Sequence, residues 1–263
     1  MNIRICKLTW WLAVMAGLIS PLALQAQTLP FTLTPGSVAN ASFGIDANGT
    51  LTATGPFNSS LTFSFSGAPQ MVWFPAFGAF RAGSFYGSQT SIGQDSVAFG
   101  SSTASGSYSA AFGDSTASGY DSTAMGYDTT ASGGSSVAMG LFSSASGSCS
   151  LASGVVSSAS GMASTALGQS TASGSYATSA GISASANSYD SFVVGTYNVG
   201  LSETLATPNL TAWMAADPLF EVGNGTSSVK SDALVVYKDG SETVKGPITV
   251  TNPGGDIPMY AGN

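Results

Sequence analysis

Large and small residues keep fixed offsets along the middle of the chain. Aligned on glycine, residues 91–200 read SVAFG ending at Gly100, SAAFG at Gly113, STAMG at Gly126, SVAMG at Gly140, SLASG at Gly154, STALG at Gly168, TSAG at Gly181 and SFVVG at Gly195. The intervals are 13, 13, 14, 14, 14, 13 and 14 residues. A second phrase returns at the same period: TASG at Gly106, Gly119, Gly133 and Gly174, SASG at Gly147 and Gly161, and a decayed SASAN near Ala186. Two short phrases per period predict two short strands per turn of a solenoid.

Two residues before each terminal glycine stand Ala98, Ala111, Ala124, Ala138, Ala152 and Ala166, then Ser179 and Val193. One residue before it stand Phe99, Phe112, Met125, Met139, Ser153, Leu167, Ala180 and Val194. Neighbours on a strand point to opposite faces, so the alanine column presses on a space with no room for a larger group. A narrow coil has such an interior. Seven to eight coils at the ~4.8 Å strand spacing make a rod roughly 35 to 40 Å long. The absence of proline from residues 91–200 fits a backbone ladder in which every donor is used. Glycine is expected at the tight corners. The large apolar column cannot be hidden within so thin a chain, so two chains face to face, or three around an axis, are expected to cover it.

The flanks read differently. Arg4 and Lys7 precede an apolar run from Leu8 to Leu24, with small Ala26 behind it, which is the pattern of an export signal over residues 1–26, cleaved after Ala26. Residues 27–90 form an N-terminal β region, with strands in LTATG and LTFSFSG and turns at Ala47-Asn48-Gly49 and Gly55-Pro56. The cluster Met71 to Phe80, followed by Arg81, is read as the plug that closes the end of the rod, with a receptor contact as the alternative. In residues 201–263, DALVVYKDGSETVKG reads as a hairpin about a Lys-Asp-Gly turn. Its acids and those before it, Asp217, Glu221, Asp232, Asp239 and Glu242, alternate with Lys230, Lys238 and Lys245 as on a solvated face.

Composition narrows the chemistry. The 263 residues include no histidine, which removes the imidazole triads, dyads and metal ligands. Six cations stand against 13 acids, a charge of −7, and loss of Arg4 and Lys7 makes it −9; such a chain repels phosphate backbones, so nucleic acid is not an expected partner. Over residues 91–200 there are thirty-one serines, five aspartates and no Lys, Arg or Glu. That composition alone suits a linker, but a linker has no reason to keep columns.

The SVAFG, STAMG and STALG phrases alternating with TASG resemble the head repeats of the trimeric autotransporter adhesins, the YadA-like family of bacterial surface proteins. The resemblance covers about 110 residues in eight copies. It implies an all-β fold, a left-handed parallel β-roll of 13–14-residue repeats, three of which assemble into one trimeric head. It also implies a non-enzymatic, exported adhesion module at the bacterial surface. No heptad stalk follows the repeats and PMYAGN does not read as membrane strands, so the family's own anchor is not expected in this chain.

Candidate sites are few. Asp95, Asp121 and Asp190 share a corner column with Tyr108, Ser135, Cys149, Ala163 and Tyr176, while Asp114 and Asp128 fall at other corners. That variability marks a solvated corner instead of catalytic acids, and the GGxGxD pattern of calcium-binding rolls is absent. No catalytic, cofactor or metal residue is expected, and no cofactor. Cys149 is read as incidental. Thr103, Thr116, Thr130 and Thr171, with Ser144 and Ser158, stand two residues before Ser105, Ser118, Ser132, Ser173, Ser146 and Ser160. Such a hydroxyl ladder suits a soluble uncharged face or, as a rival function, ice binding. The expected partners are sister chains and a host or matrix protein; a plain structural spacer is the remaining alternative.

Overall fold

A computed structural model describes residues 42–45, 51–54, 64–74, 77–88, 92–200 and 208–247, all within the unit spanning 40–263. The expected export segment, both N-terminal turns and the C-terminal PMYAGN lie outside the described residues. A short hairpin, β1 (Ser42–Ile45) with β2 (Leu51–Thr54), forms its own sheet. A second hairpin, β3 (Ser64–Phe74) with β4 (Ala79–Ser88), leads into eight parallel coils.

Each coil has two walls. The first wall takes β5 (Val97–Gly100), the N-terminal half of β7 (Ala110–Ala117) and of β8 (Thr123–Ala131), then β9 (Val137–Leu141) and β11 (Leu151–Val155). It continues through the first halves of β13 (Thr165–Ala172) and β14 (Thr178–Ala186) to β15 (Phe192–Thr196). The second wall takes β6 (Thr103–Ala104), β10 (Ser144–Ala145), β12 (Ser158–Ala159) and the other halves of β7, β8, β13 and β14. Registers match the sequence columns: Ala98 pairs with Ala111, Ala111 with Ala124, Ala124 with Ala138, and so on to Ser179 with Val193.

Four small side chains point inward per coil, such as Ser109, Ala111, Ser115 and Ala117, all buried. Two walls this close hold mostly alanine and serine, with Thr129 and Val193 as larger exceptions, so methyl contacts and hydroxyl bonds replace an ordinary core. Some inward serines turn back on the main chain, as Ser109 Oγ donates to the Gly106 carbonyl at 2.6 Å and Ser122 Oγ to Gly119 at 2.7 Å, whereas the hydroxyls of Ser136, Ser150, Ser164 and Ser179 have no hydrogen-bond partner among the described residues. The expected split between a small interior column and a large outward one is what the structure has.

The terminal glycines serve the corners as expected, with φ from 89° at Gly100 to 141° at Gly181, and the glycines meet a second requirement as well. A Cβ on Gly140 would lie 2.1 Å from the carbonyl oxygen of Gly154 in the next coil, and one on Gly147 would lie 2.0 Å from that of Gly161. Both glycine columns therefore exist because successive coils stack backbone on backbone. At the corner away from the terminal glycines the left-handed residues are not glycines. Asp95, Tyr108, Asp121, Ser135, Cys149, Ala163, Tyr176 and Asp190 have φ between 51° and 62°. What read as a merely permissive, solvated corner is a conformational requirement met once in every coil.

The difference between 13 and 14 residues lies at the opposite corner. Asp128, Phe142, Val156, Ser183 and Tyr197 have positive φ there. Asp128 is skipped in the register between β7 and β8, and Ser183 between β13 and β14. Without the extra residue, the inward serine closes the turn: Ser102 Oγ reaches the Phe99 carbonyl at 2.9 Å and Ser170 Oγ that of Leu167 at 3.0 Å.

Antiparallel strands end the stack. Phe74, Ala79 and Ile92 form a small buried cluster with Val72 and Phe77 at the first coil. At the other end, β16 (Pro218–Asn224) pairs parallel with β15 and then antiparallel with β17 (Asp232–Tyr237), which pairs with β18 (Glu242–Val244). The turn between the last two is Lys238-Asp239-Gly240, as its residues predict, with Asp239 Oδ1 accepting from the Ser241 amide at 2.8 Å.

Candidate functional site: the outer walls, edges and ends

Residues alternating with the buried alanines of the first wall face out. Phe99, Met125 and Leu167 remain exposed, and Phe192 is 44% exposed. Phe99 stacks on Phe112 with ring centroids 5.5 Å apart, and Phe192 on Phe220 at 5.8 Å. Val97, Val137 and Leu151 share one register column and are half-buried. That column also holds Ala110, Thr123, Thr165 and Thr178, so the first wall is an uncharged strip in which apolar residues alternate with threonine.

Its margin is apolar only where the coil is long. After the terminal glycine, the 13-residue coils carry Ser101, Asp114 and Gln169, whereas the others carry Tyr127, Leu141, Val155, Ile182 and Thr196. Tyr127 is 57% exposed, and Phe142 and Val156 beside the next two are exposed as well. The bulge turns two side chains outward, so the extra residue converts a polar corner into a greasy one.

The second wall presents the hydroxyl ladder. Ala104, Ala117 and Ala131 are buried, while Thr103, Thr116 and Thr130 between the walls' corners are half-buried and Ser118 and Ser132 are exposed, so both hydroxyl columns face outward. The left-handed edge carries two aromatic pairs, Tyr108 with Tyr120 at 5.3 Å and Tyr176 with Tyr189 at 5.6 Å, both edge to face. Exposed, unpaired Cys149 lies between them along the chain.

The ends hold charges that the sequence reading misplaced. Arg81 occupies the alanine column, paired in register with Ala98, and is 3% exposed. Its guanidinium donates to the carbonyls of Ser96 at 3.1 Å and Ala104 at 2.7 Å and to Ser96 Oγ at 2.9 Å. In later coils two amides serve the equivalent carbonyl, as Ser105 and Gly106 serve Ala117. Among the described residues the Ala104 carbonyl takes one amide, that of Gly93, and Arg81 supplies the second donor. Burial pushes Arg81 down to about 10, which leaves it charged at neutral pH.

Glu221 holds the same column at the other end, opposite Val193, and is also 3% exposed. It accepts from Asn198 Nδ2 at 2.9 Å, while the Asn198 amide pairs with Ser185 like a strand backbone, accepting at 2.8 Å and donating at 3.0 Å. Burial pushes the Glu221 carboxyl up to about 7, against the Asn198 hydrogen bond, and burial raises Asp232 too. Asp217 is buried, and Lys238 lies over the rings of Trp213 and Tyr189 while donating to the Tyr189 carbonyl. Lys230, Asp239, Glu242 and Lys245 are exposed, as a solvated face requires, and Asp232 and Lys238 are half-buried; Asp217 and Glu221 depart from that face and are buried where the last coil leaves polar groups to satisfy.

A cavity of about 520 Å³ opens beneath this end, lined by Glu221, Asp232, Tyr237 and Lys245 among others. A concave pocket with converging acids is the feature an enzyme would need. Here both carboxylates are engaged by the fold: Asp232 accepts from the Val199 amide at 3.1 Å and Glu221 from Asn198. Among the described residues no group of acids or thiols is placed to hold a metal ion.

No curated protein matches the chain. The model of the YadA head domain repeat matches twice, over residues 117–143 and 145–171, in the middle coils of the solenoid. Residues 117–171 of the stack, with alanine inside and large apolar groups outside, are thus built on two YadA head domain repeats.

Proposed function

We propose that this chain is an exported, non-enzymatic head module displayed at a bacterial surface, assembling as a homotrimer and binding host or matrix proteins through its repetitive outer walls. The observation that carries the reading is the uncovered first wall, where Phe99, Met125, Leu167 and Phe192 line one side without a cover from their own chain. An uncharged strip of that length calls for burial, and a closed ring of sister chains provides it. In this reading residues 1–26 direct export, residues 27–90 and 201–263 close the ends, and residues 91–200 form the displayed rod. Sedimentation of the purified chain is the first test, with a trimer expected and a monomer counting against the proposal. Solid-phase binding to matrix proteins is the second. A chain lacking residues 127–154, two whole coils, should bind more weakly, whereas a plain spacer has no affinity to lose.

The outward hydroxyl ladder favours a second reading, an ice-binding wall. Thermal hysteresis that vanishes when Thr116 and Thr130 become tyrosine is its signature, and its absence from the parent chain removes it.

A further inference from the structure

In the middle coils the two edges of the solenoid differ in opposite senses. Gly134-Ser135 and Ser148-Cys149 make the left-handed edge low in the middle coils, between the ring pairs described above. The opposite edge is bulkiest there, with Leu141, Phe142, Val155 and Val156 all exposed. Chain order fixes the heights: Phe142 follows Ser135 by one wall and precedes Cys149 by the other, so it sits at a level between them. Val156 likewise sits between Cys149 and Ala163. Where the left-handed edge carries Tyr108 and Tyr120, the opposite edge has shrunk to Ser101 and Asp114. The match is cleanest at Phe142; Tyr127 lies next to exposed Tyr120, exposed Met162 borders the level of Val156, and at Ile182, between Tyr176 and Tyr189, both edges are large.

We propose that the bulged edge of one copy seats in the low edge of the next, so that the apolar corners at 141–142 and 155–156 are the lateral joint of the homotrimer. This rests on the homotrimer reading and adds the surface and the sense of packing. In a ring of three copies with the first wall toward the axis, each copy offers one edge to its neighbour and the opposite edge to the other neighbour, at equal height. A knob at one height therefore meets whatever the other edge holds at that height. Charge agrees, because the solenoid's aspartates are 95, 114, 121, 128 and 190 and none falls within residues 134–163. The joint closes without bringing like charges together.

Cysteine pairing tests this with the native thiol. In the full chain with Cys6→Ser, Phe142→Cys and Val156→Cys are made separately and oxidised. Both positions have φ near 55°, and Cys149 itself sits at 57°, so cysteine tolerates that geometry. The expected result is a closed covalent trimer on a non-reducing gel that disappears on adding Cys149→Ser, because Cα atoms across the joint fall within the ~7 Å that a disulfide spans. Cross-links that survive Cys149→Ser mean that bulged edges meet each other, and they overturn the proposal. A trimer in sedimentation without cross-links from either variant overturns the joint while leaving the homotrimer intact. A monomer overturns both.

Discussion

At single positions the backbone sets limits that side-chain type does not reveal. Gly134 and Gly140 lie in the same coil, yet a Cβ on Gly134 meets nothing closer than the Tyr120 carbonyl at 4.0 Å, whereas one on Gly140 is driven into the Gly154 carbonyl. Gly140→Ala, which also forces alanine to φ 107°, should cost on the order of 2–3 kcal/mol. Gly134→Ala should stay within about 0.5 kcal/mol of the parent. Urea midpoints for the two variants check this contrast. Glu221 gives a pH signature. Its folded carboxyl titrates near 7, above its ordinary 4.5, so the folded chain keeps a proton that the unfolded chain releases. The stability tied to that proton is complete below pH 4.5 and is lost as pH rises through 7. The loss is about 3 kcal/mol. Glu221→Gln should flatten denaturant midpoints between pH 4.5 and 8; an unchanged slope would assign the dependence to Asp232 or elsewhere. Neither feature was legible from residue type alone, since Gly134 and Gly140 are the same residue and Glu221 among lysines looks like surface.

Within one coil, the period was readable and its cause was not. The 13 and 14 intervals show in the glycine spacing, and so does the place of the extra residue, since Gly106 to Gly113 and Gly133 to Gly140 are both seven apart while Gly100 to Gly106 is six and Gly126 to Gly133 seven; only the backbone says that the added residue makes a positive-φ corner. A serine hydroxyl bonded three residues back closes the short version, as Ser102 and Ser170 do, so the two coil types are alternative closures of one frame. Deleting Phe142 should therefore leave a folded solenoid, with a loss of about 1–2 kcal/mol from the exposed bulge and its neighbours. Deleting Ser135 should abolish cooperative melting of the middle coils, because no coil closes without a left-handed residue at that edge. Far-UV circular dichroism melts of both deletions decide the matter, and equal damage would refute the distinction. The alternation of apolar and polar residues at the bulge was present in the sequence as Tyr127, Leu141, Val155 and Ile182 against Ser101, Asp114 and Gln169. It becomes meaningful only when sorted by coil length.

A whole solenoid must also stop, and this one stops with the repeat's own vocabulary. Phe80-Arg81-Ala82-Gly83 and Phe220-Glu221-Val222-Gly223 are degraded copies of the VAFG phrase with a charge in the alanine position. That signal was available in the sequence and would have identified Arg81 and Glu221 as the two ends of the interior. A buried charge cannot accept another coil on top of it, and the antiparallel turn of β4 into β3 and of β16 into β17 removes the parallel edge that a further coil would need. The ends are thereby made incompatible with one another as well as with growth, as repeat arrays require of their terminal units. A chain truncated after Gly200 loses β16, Glu221 and the hairpin together, and leaves the backbone edge of Phe192–Thr196 open over an apolar interior. It should associate end to end, giving a broad, concentration-dependent distribution in sedimentation velocity where the parent gives one discrete species. If the truncated chain sediments as a single sharp boundary, the hairpin is an appendage and the stack ends by some other means.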